Sequence, residues 1–316
     1  MSTIQVVSPG LFTTLQDLGR EGFGPLGVSA SGAADALALR IGNRLVSNPE
    51  NPAALEMTLL GGTFLFPEGA TIALTGSDFG ATLDGVPVPL WVSVKVNPGQ
   101  LLQLESTRSG ARCYLCVHGG IAVPAFLGSA STHILSGLGG LEGRPLRKGD
   151  VLQIGPAKAA FRQETLTPDA LRRLSPRKVL RVTSGPQSER FPKTERQKFY
   201  ASPYRVSEES NRMGLRLEGP AISLDSEHSG GGMITEGVSL GAIQIPEGGQ
   251  PIILFVEQQT TGGYPKIANV ISADLSSVGQ LRPRDEIRFE LVSWEAARSA
   301  LREQEDILAS NSLISG

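Results

Sequence analysis

Short apolar runs separated by turn residues recur along most of the chain. Runs of this kind, with glycine, proline or Asn-Pro between them, predict β-strands, and their close spacing is typical of a barrel or a sandwich. In the first half the clearest predicted strands are Thr71–Leu74, Trp91–Val96, Leu101–Leu104, Cys113–Val117 and Val151–Ile154. In the second half they are 179–182, 204–206, 215–217, 242–245, 252–256 and 286–291. The pattern therefore predicts a mainly β protein with a few short helices.

Helical spacing of apolar residues is confined to a few segments. The first follows Ser31-Gly32, and Ser31 is its predicted N-cap. The apolar positions on one face of this helix are Ala34, Leu37, Ile41 and Leu45. The last segment, Trp294–Leu308, is charged with a narrow apolar stripe, which predicts a surface helix.

The predicted linker is the polar stretch Pro156–Arg177, because it interrupts the strand pattern. A length of 316 residues suits about two domains. We therefore predict an N-terminal β region over residues 1–160, a C-terminal β domain over 178–295, and a helix and tail over 296–316.

The composition describes a soluble globular protein, with 40% hydrophobic and 19% charged residues. The net charge of −2 gives no indication of nucleic acid or a membrane as a partner. The N-terminus lacks the basic and apolar segments of a signal peptide, and no run reaches membrane-spanning length. These features predict a cytoplasmic protein.

The two cysteines, Cys113 and Cys116, have the spacing of a redox or zinc motif. They fall within a predicted strand, however, and their odd separation puts them on opposite faces of it. We interpret them as two buried small hydrophobic residues. The three histidines, His118, His133 and His228, lack the spacing of metal ligands, so no metal site is predicted. The chain also lacks a P-loop motif.

The strongest candidate site follows the apolar run Pro251–Val256. Its sequence continues Glu-Gln-Gln-Thr-Thr-Gly-Gly-Tyr-Pro-Lys, which ends at Lys266. Gly262 and Gly263 permit dihedrals closed to other residues and let the main chain approach a bound group closely, and the proline stiffens the turn. Such a turn would present hydroxyl groups and backbone N–H groups beside the lysine ammonium, a combination that suits an anionic or carbonyl oxygen. The alternative is an ordinary hairpin turn with an exposed lysine.

Several motifs together resemble the biotin-dependent carboxyltransferase family, also called allophanate hydrolase subunit 2. This family includes the C subunit of the bacterial ATP-dependent 5-oxoprolinase, the antagonist of the sporulation-kinase inhibitor, and the carboxyltransferase domain of urea carboxylase. The motifs are Thr13–Arg20, Ser31–Asp35, Thr75–Asp78, Val117–Pro124, Leu127–Thr132, Gly139–Arg144, Gly185–Gln187, Ser210–Gly214, Gly241–Pro246, Gly249–Pro251 and Gln259–Lys266. The resemblance covers roughly residues 4 to 292, and the last motif is its most specific part.

The resemblance implies two cyclophilin-like β-barrel domains with a small-molecule site in the groove between them. It also implies two partner subunits, one of the kinase-inhibitor type (B) and one of the lactam-utilisation type (A), which together with this chain hydrolyse 5-oxoproline to glutamate using ATP. The ATP is bound by this chain or by one of its partners. Biotin is involved only if another chain supplies it, because no Met-Lys-Met-type attachment site is present. Two departures from the family, at His118 and at Ile121-Ala122, could mark a different substrate.

The residues of the candidate site receive the following roles. Lys266 and the glycine turn, Gly262 and Gly263, would stabilise negative charge developing on a carbonyl oxygen. Neutral hydrogen bonds to an amide or ureido group would come from Gln244, Gln258, Thr260 and Thr261.

Other candidates have equally good structural explanations. Asp78 could orient or deprotonate a substrate N–H, or could cap a turn. Tyr264 could stack on the ligand or pack as an ordinary aromatic residue. Asp17 and Arg20 are interpreted as a structural salt bridge. Two further arginines, which could pair with a carboxylate or be solvated, are Arg212 and Arg282.

Three functions follow from these observations. The first is the C subunit of an ATP-dependent 5-oxoprolinase. The second is a non-catalytic regulatory protein that binds a kinase-inhibitor partner. The third is a carboxyltransferase module that acts on a urea-like substrate with biotin in trans.

Overall fold

The protein is mainly β with a few short helices, which confirms the predicted fold class. The computed structural model describes residues 2–157, 160–225 and 233–316. His228 lies outside these described residues.

The strands of the described residues are short and numerous. The first thirteen are β1 Thr3–Ser8, β2 Phe12–Gln16, β3 Ala54–Thr58, β4 Thr63–Phe66, β5 Ala70–Gly76, β6 Thr82–Leu83, β7 Val86–Pro87, β8 Ser93–Val96, β9 Gln100–Gln103, β10 Arg112–Val117, β11 Ile121–Ala122, β12 Val151–Ile154 and β13 Thr165–Leu166. The next ten are β14 Val179–Ser184, β15 Tyr204–Val206, β16 Gly214–Glu218, β17 Glu236–Gly237, β18 Ala242–Gln244, β19 Ile252–Leu254, β20 Thr261–Gly262, β21 Lys266–Val270, β22 Glu286–Leu291 and β23 Ile314–Ser315. The α-helices are α1 Ala36–Leu45, α2 Pro168–Leu174, α3 Lys193–Ala201, α4 Leu275–Gly279 and α5 Trp294–Ala309.

Two compact units share the chain in an interleaved way. The first unit contains the residues up to Arg20, Ser31–Ser175 and Ile307–Gly316, and the second contains Glu21–Ala30 and Pro176–Asp306. The predicted division was 1–160, 178–295 and 296–316. The chain's last segment joins the first unit because β23 pairs with β13, and because Leu308 and Leu313 are buried in a cluster of that unit.

The first unit contains two sheets around one hydrophobic core. One has the strand order β11-β12-β1-β4-β9-β6-β7 and the other β2-β3-β10-β5-β8. Both contribute to the core, through residues such as Phe64 and Phe66 of β4 and Leu55 and Met57 of β3. The opposite face of the five-stranded sheet packs against α1, so both faces of this sheet are covered.

Both cysteines lie in β10, the central strand of that five-stranded sheet. Cys113 belongs to the core between the sheets, and Cys116 belongs to the cluster that packs against α1. The prediction of two buried residues on opposite faces of a strand is therefore confirmed. Burial raises the pKa of both thiols.

We expect neither cysteine to react with a chromogenic thiol reagent at neutral pH, because a buried thiol is kept protonated and inaccessible. Both thiols should react once the protein is unfolded in guanidinium chloride. Rapid labelling of Cys113 or Cys116 in the folded protein would contradict the burial described above.

Helix α1 begins later than predicted. Its N-cap is Asp35, whose side chain accepts a hydrogen bond from the Ala38 N–H at 3.0 Å. The prediction of Ser31 as N-cap was wrong, because Ser31 has a left-handed φ of 57° and donates from Oγ to the Thr132 carbonyl at 2.9 Å. Between these residues the backbone follows tertiary hydrogen bonds, such as that from Ala33 N–H to the Asp17 carbonyl, rather than a helical turn.

The second unit contains a closed barrel with the strand order β14-β21-β18-β19-β16-β15-β22. Strands β14 and β22 are parallel, and the other neighbours are antiparallel. A separate two-stranded ribbon, β17 with β20, belongs to the same unit. Helix α3 packs against β22, where the Phe199 ring stacks on Phe289 with centroids 4.7 Å apart.

Within the described part of the chain, no helix has both the length and the apolar character needed to cross a membrane.

Candidate functional site

Lys266 is a buried residue at the start of the barrel strand β21. Only 3% of it is exposed, and its Nζ lies 2.5 Å from Oε1 of Glu236. Beyond this ion pair, Nζ has no hydrogen-bond partner among the described residues. The alternative of an exposed lysine on a hairpin turn is therefore wrong. Glu236, which no sequence pattern singled out, is the counter-ion.

Gln187 joins the two members of this ion pair. The backbone N–H of Lys266 donates to Gln187 Oε1 at 3.1 Å, and the Gln187 N–H donates to the Lys266 carbonyl at 3.3 Å. Because Oε1 is used as an acceptor, the side-chain Nε2 is left to donate to Glu236 Oε1, at 2.7 Å. The Lys266 ammonium, with the Gln187 amide, lowers the pKa of the Glu236 carboxyl below its usual range.

The Gly185-Pro-Gln187 motif has a steric explanation at this site. A Cβ on Gly185 would lie 2.2 Å from the carbonyl oxygen of Lys266. The Gly185 N–H donates to the Ile267 carbonyl at 2.9 Å. Only glycine therefore lets this segment approach β21 closely enough for Gln187 to bond to both backbone groups of Lys266.

Two glutamines place unpaired polar atoms in the same unit. Gln244 is the cross-strand partner of Lys266, is 1% exposed, and has no hydrogen-bond partner for Nε2 among the described residues. Gln258 donates from Nε2 to the Val238 carbonyl at 3.1 Å, while its buried Oε1 is likewise unpaired within the described chain. Since buried polar atoms are normally paired, an unpaired donor and an unpaired acceptor point to a ligand.

The two glycines of the predicted turn act differently from the prediction. Neither Gly262 nor Gly263 has a left-handed φ, so neither uses dihedrals closed to other residues. Gly262 lies instead in β20, opposite Glu236 of β17. A Cβ on Gly262 would lie 2.7 Å from Gln244 Nε2, so a larger residue here would require the Gln244 amide to move.

Gly262→Ala is expected to displace the Gln244 amide and to weaken ligand binding by about tenfold or more, since a misplaced buried donor loses its hydrogen bond at a cost of about 1–3 kcal/mol. Gly237→Ala is the matched control, because it lies in the same ribbon and its Cβ would contact nothing within 4 Å. Calorimetric binding measurements on both variants test this. Equal affinities for the two would contradict the role of Gly262.

The remaining residues of the predicted turn lie nearer to solvent. The Thr260 carbonyl accepts from the Val238 N–H at 3.1 Å. Thr261 is exposed, and its backbone pairs with Gly237. Tyr264 is 46% exposed. Strand pairing thus engages part of the backbone that was predicted to be free.

Asp78 and His118 belong to the first unit, and their contacts there are those of structural residues. Asp78 Oδ1 accepts from the Gly80 N–H at 2.7 Å, and Oδ2 lies 3.5 Å from Arg108 Nη1. This is the turn cap that was the alternative for Asp78. His118 bonds through Nδ1 to the carbonyl of Val46, at the C-terminus of α1, at 2.7 Å.

Asp17 and Arg20 both hold the loop Phe126–Ser131. The Asp17 carboxylate accepts from Ser129 Oγ and from the Ala130 N–H, each at 2.6 Å. Arg20 donates to the carbonyls of Phe126 and Ser131. These bonds to the loop give both residues a structural role.

The two other arginines singled out in the sequence have carboxylate partners. Arg212 Nε lies 2.5 Å from Glu257 Oε1, and the two side chains are only 6% and 3% exposed. The alternative of a solvated Arg212 is therefore wrong. Arg282 has Nη2 3.7 Å from Asp285 Oδ1 and lies nearer the surface. Among the described residues, no group of three or more acidic, histidine or cysteine side chains is arranged to hold a metal ion.

Comparisons with known proteins agree on one family. The carboxyltransferase domain, subdomain A and B, matches residues 26–291. The chain is 38% identical over 302 residues to the C subunit of 5-oxoprolinase from Escherichia coli (strain K12), and the match covers 96% of this chain and 95% of that protein. It is 37% identical over 321 residues to urea amidolyase of Saccharomyces cerevisiae, and that match covers 97% of this chain but 17% of that protein.

A solved structure is similar over almost the whole chain. The crystal structure of the K. lactis urea amidolyase superimposes with a TM-score of 0.91 at 32% identity. The similar region covers 99% of this chain and 20% of that one. The chain belongs to the family of carboxyltransferase domains with subdomains A and B.

Proposed function

We propose that this protein is the C subunit of an ATP-dependent 5-oxoprolinase, which converts 5-oxoproline to glutamate. The observation that supports this is the extent of the match to the E. coli protein, which spans 96% of this chain and 95% of that protein at 38% identity. The urea amidolyase of S. cerevisiae is matched over only 17% of its length. The E. coli subunit is therefore matched over nearly its whole length, and the urea amidolyase over a small part of its own.

The buried polar groups of the second unit suit a lactam. A lactam ring presents one carbonyl oxygen and one N–H side by side. The unpaired Gln244 Nε2 can donate to the oxygen, and the unpaired Gln258 Oε1 can accept from the N–H. The Lys266 ammonium supplies positive charge for a negatively charged oxygen of the substrate, and burial strengthens this interaction.

The enzyme is proposed to be active only as a complex. Its partners are one protein of the kinase-inhibitor type (B) and one of the lactam-utilisation type (A), and ATP is bound by one of these partners. In the net reaction one water hydrolyses ATP to ADP and phosphate. A second water adds to the lactam carbonyl carbon, the C–N bond breaks, and the nitrogen takes up a proton to become the amine of glutamate. The role of this chain is to bind and orient the lactam.

The test is glutamate release from 5-oxoproline with purified subunits. Turnover is expected only when all three proteins and ATP are present, and omission of each component in turn is the control. A stable complex of all three that releases no glutamate would overturn the proposal and favour the regulatory function, in which this chain only binds a kinase-inhibitor partner.

A second candidate is a carboxyltransferase module that acts on a urea-like substrate with biotin in trans. It is favoured by the TM-score of 0.91 to the K. lactis urea amidolyase. The residues present fit such a cofactor, since the ureido ring of biotin offers the same carbonyl and N–H groups to Gln244 and Gln258. Biotin that had been carboxylated on a ureido nitrogen would supply the carboxyl group and leave as biotin. Inhibition by avidin of the carboxylation of a urea-like substrate would support this function, and resistance of that reaction to avidin would exclude it.

A further inference from the structure

The oxygen Oε1 of Glu236 sits in a receptor made by two other residues. The Lys266 Nζ lies 2.5 Å from it and the Gln187 Nε2 lies 2.7 Å from it. An ammonium and an amide N–H that converge on one oxygen form a site suited to a carboxylate.

This receptor is fixed in place by the barrel. Lys266 lies in β21, which pairs with β14 and β18 on its two sides. Gln187 bonds through its backbone N–H and its side-chain oxygen to the two backbone groups of Lys266, so its Nε2 has little freedom to turn away. The receptor therefore keeps its geometry whichever carboxylate occupies it.

The present occupant is held much less firmly. Glu236 lies in β17, a strand of two residues whose ladder, within the described part of the chain, is limited to the pairing with Thr261 and Gly262 of β20. Its side chain is 45% exposed, whereas that of Lys266 is 3% exposed. Water can therefore solvate Glu236 if it leaves, but the buried ammonium needs another negative charge in its place.

The unpaired glutamine atoms indicate where the replacement would come from. Gln244 is the cross-strand partner of Lys266, and its Nε2 is an unpaired buried donor. A small molecule with both a cyclic amide and a carboxylate could satisfy the glutamines and the ammonium together.

We propose that Glu236 is a displaceable counter-ion, which the carboxylate of a small lactam acid replaces on Lys266 and Gln187 when the ligand binds. This inference rests on the proposed function and specifies which substrate oxygen Lys266 receives. Glu236 then competes with the ligand, so it lowers the affinity for lactam acids and leaves neutral lactams unaffected.

The test compares 5-oxoproline with 2-pyrrolidinone, which has the same ring without the carboxylate, by calorimetric titration of the isolated chain. Glu236→Gln is expected to bind 5-oxoproline about tenfold more tightly or better, because a competitor that occupies the receptor most of the time reduces the apparent affinity in proportion. The affinity for 2-pyrrolidinone should not change. Glu247→Gln, which removes the charge of another exposed glutamate in the same unit, should behave as the parent protein.

Two further measurements complete the experiment. Lys266→Met should abolish any preference for the acid over the neutral lactam, and thermal melts should show that every variant is folded. Weaker or unchanged binding of 5-oxoproline to Glu236→Gln, an equal gain for both lactams, or no binding of either would overturn the inference. Tighter acid binding in a chain whose assembled complex does not release glutamate would retain the inference and reject the 5-oxoprolinase function.

Discussion

Lys266→Met in the assembled enzyme is expected to lower kcat/KM for 5-oxoproline by about 10²-fold or more, because truncating one member of a buried charge pair costs roughly 2–5 kcal/mol of binding. Methionine keeps most of the volume of the lysine side chain but provides no positive charge and no donor. Steady-state glutamate release at several substrate concentrations gives the measurement.

The stability of this variant separates a functional role from a structural one. Removing Lys266 leaves Glu236, which is half-exposed and can be solvated, so the thermal midpoint should change little. Lys178→Met is the matched control, since it removes another paired lysine of the same unit, 61% exposed and 2.8 Å from Asp285. If Lys266→Met unfolds the protein, or if it retains full activity, the assignment of Lys266 to the substrate is wrong.

Arg212→Met is expected to destabilise the second unit by about 3–5 kcal/mol, because it leaves the carboxylate of Glu257 buried without its partner. The two side chains are almost fully buried, and the Glu257 N–H also donates to the Arg212 carbonyl at 2.8 Å. Urea unfolding followed by circular dichroism, which reports the loss of the barrel strands, is a suitable measurement.

A double variant tests whether the unpaired carboxylate of Glu257 causes the loss of stability. Arg212→Met combined with Glu257→Leu removes both charges and should recover a large part of the stability. The exposed pair Arg284 and Glu208 is the control, and Arg284→Met should cost no more than about 1 kcal/mol. If Arg212→Met lowers the free energy of unfolding by no more than Arg284→Met does, the buried pair does not stabilise the second unit as described.

Arg212→Met should also lower activity, because Glu257 directly precedes Gln258 of the candidate site. The ion pair fixes the backbone from which the Gln258 side chain reaches Val238. Arg212 is therefore a positioning residue, and a partly active double variant with a raised KM is the expected outcome.

The sequence predicted the features that depend on local periodicity. The longer strands that were predicted, such as Cys113–Val117 and Glu286–Leu291, follow from the two-residue repeat, as do the opposite orientations of Cys113 and Cys116, and the helical face with Leu37 and Ile41 follows from the 3.6-residue repeat. Burial of these positions is a direct consequence of their pattern, so no long-range information was needed. Strand β21, which carries Lys266, was not predicted.

Features that depend on distant contacts were not predictable in this way. The N-cap of α1 moved from Ser31 to Asp35 because tertiary hydrogen bonds hold the residues between them. The sequence predicted Gly262 as a turn glycine, but it lies in a strand whose space is shared with the amide of Gln244, a residue of another strand.

Glu236 was missed for the same reason. It lies in a strand of two residues, which is too short to produce a pattern, and it is thirty positions from Lys266 in the sequence. The strand that Lys266 begins, β21, was not predicted either, so nothing in the sequence showed that this lysine would be buried and would need a counter-ion. The sequence analysis identified the motif that contains Gln187 but assigned no role to its side chain.

The return of Ile307–Gly316 to the first unit has a consequence for biosynthesis. Strand β23 and the side chains of Leu308 and Leu313 are translated after the whole of the second unit, yet they complete the pairing of β13 and the cluster around α1. The first unit therefore cannot complete its fold until Ile307–Gly316 has been synthesised and has left the ribosome. Before then, the apolar surface beside α1 that Leu308 and Leu313 cover lacks these two side chains.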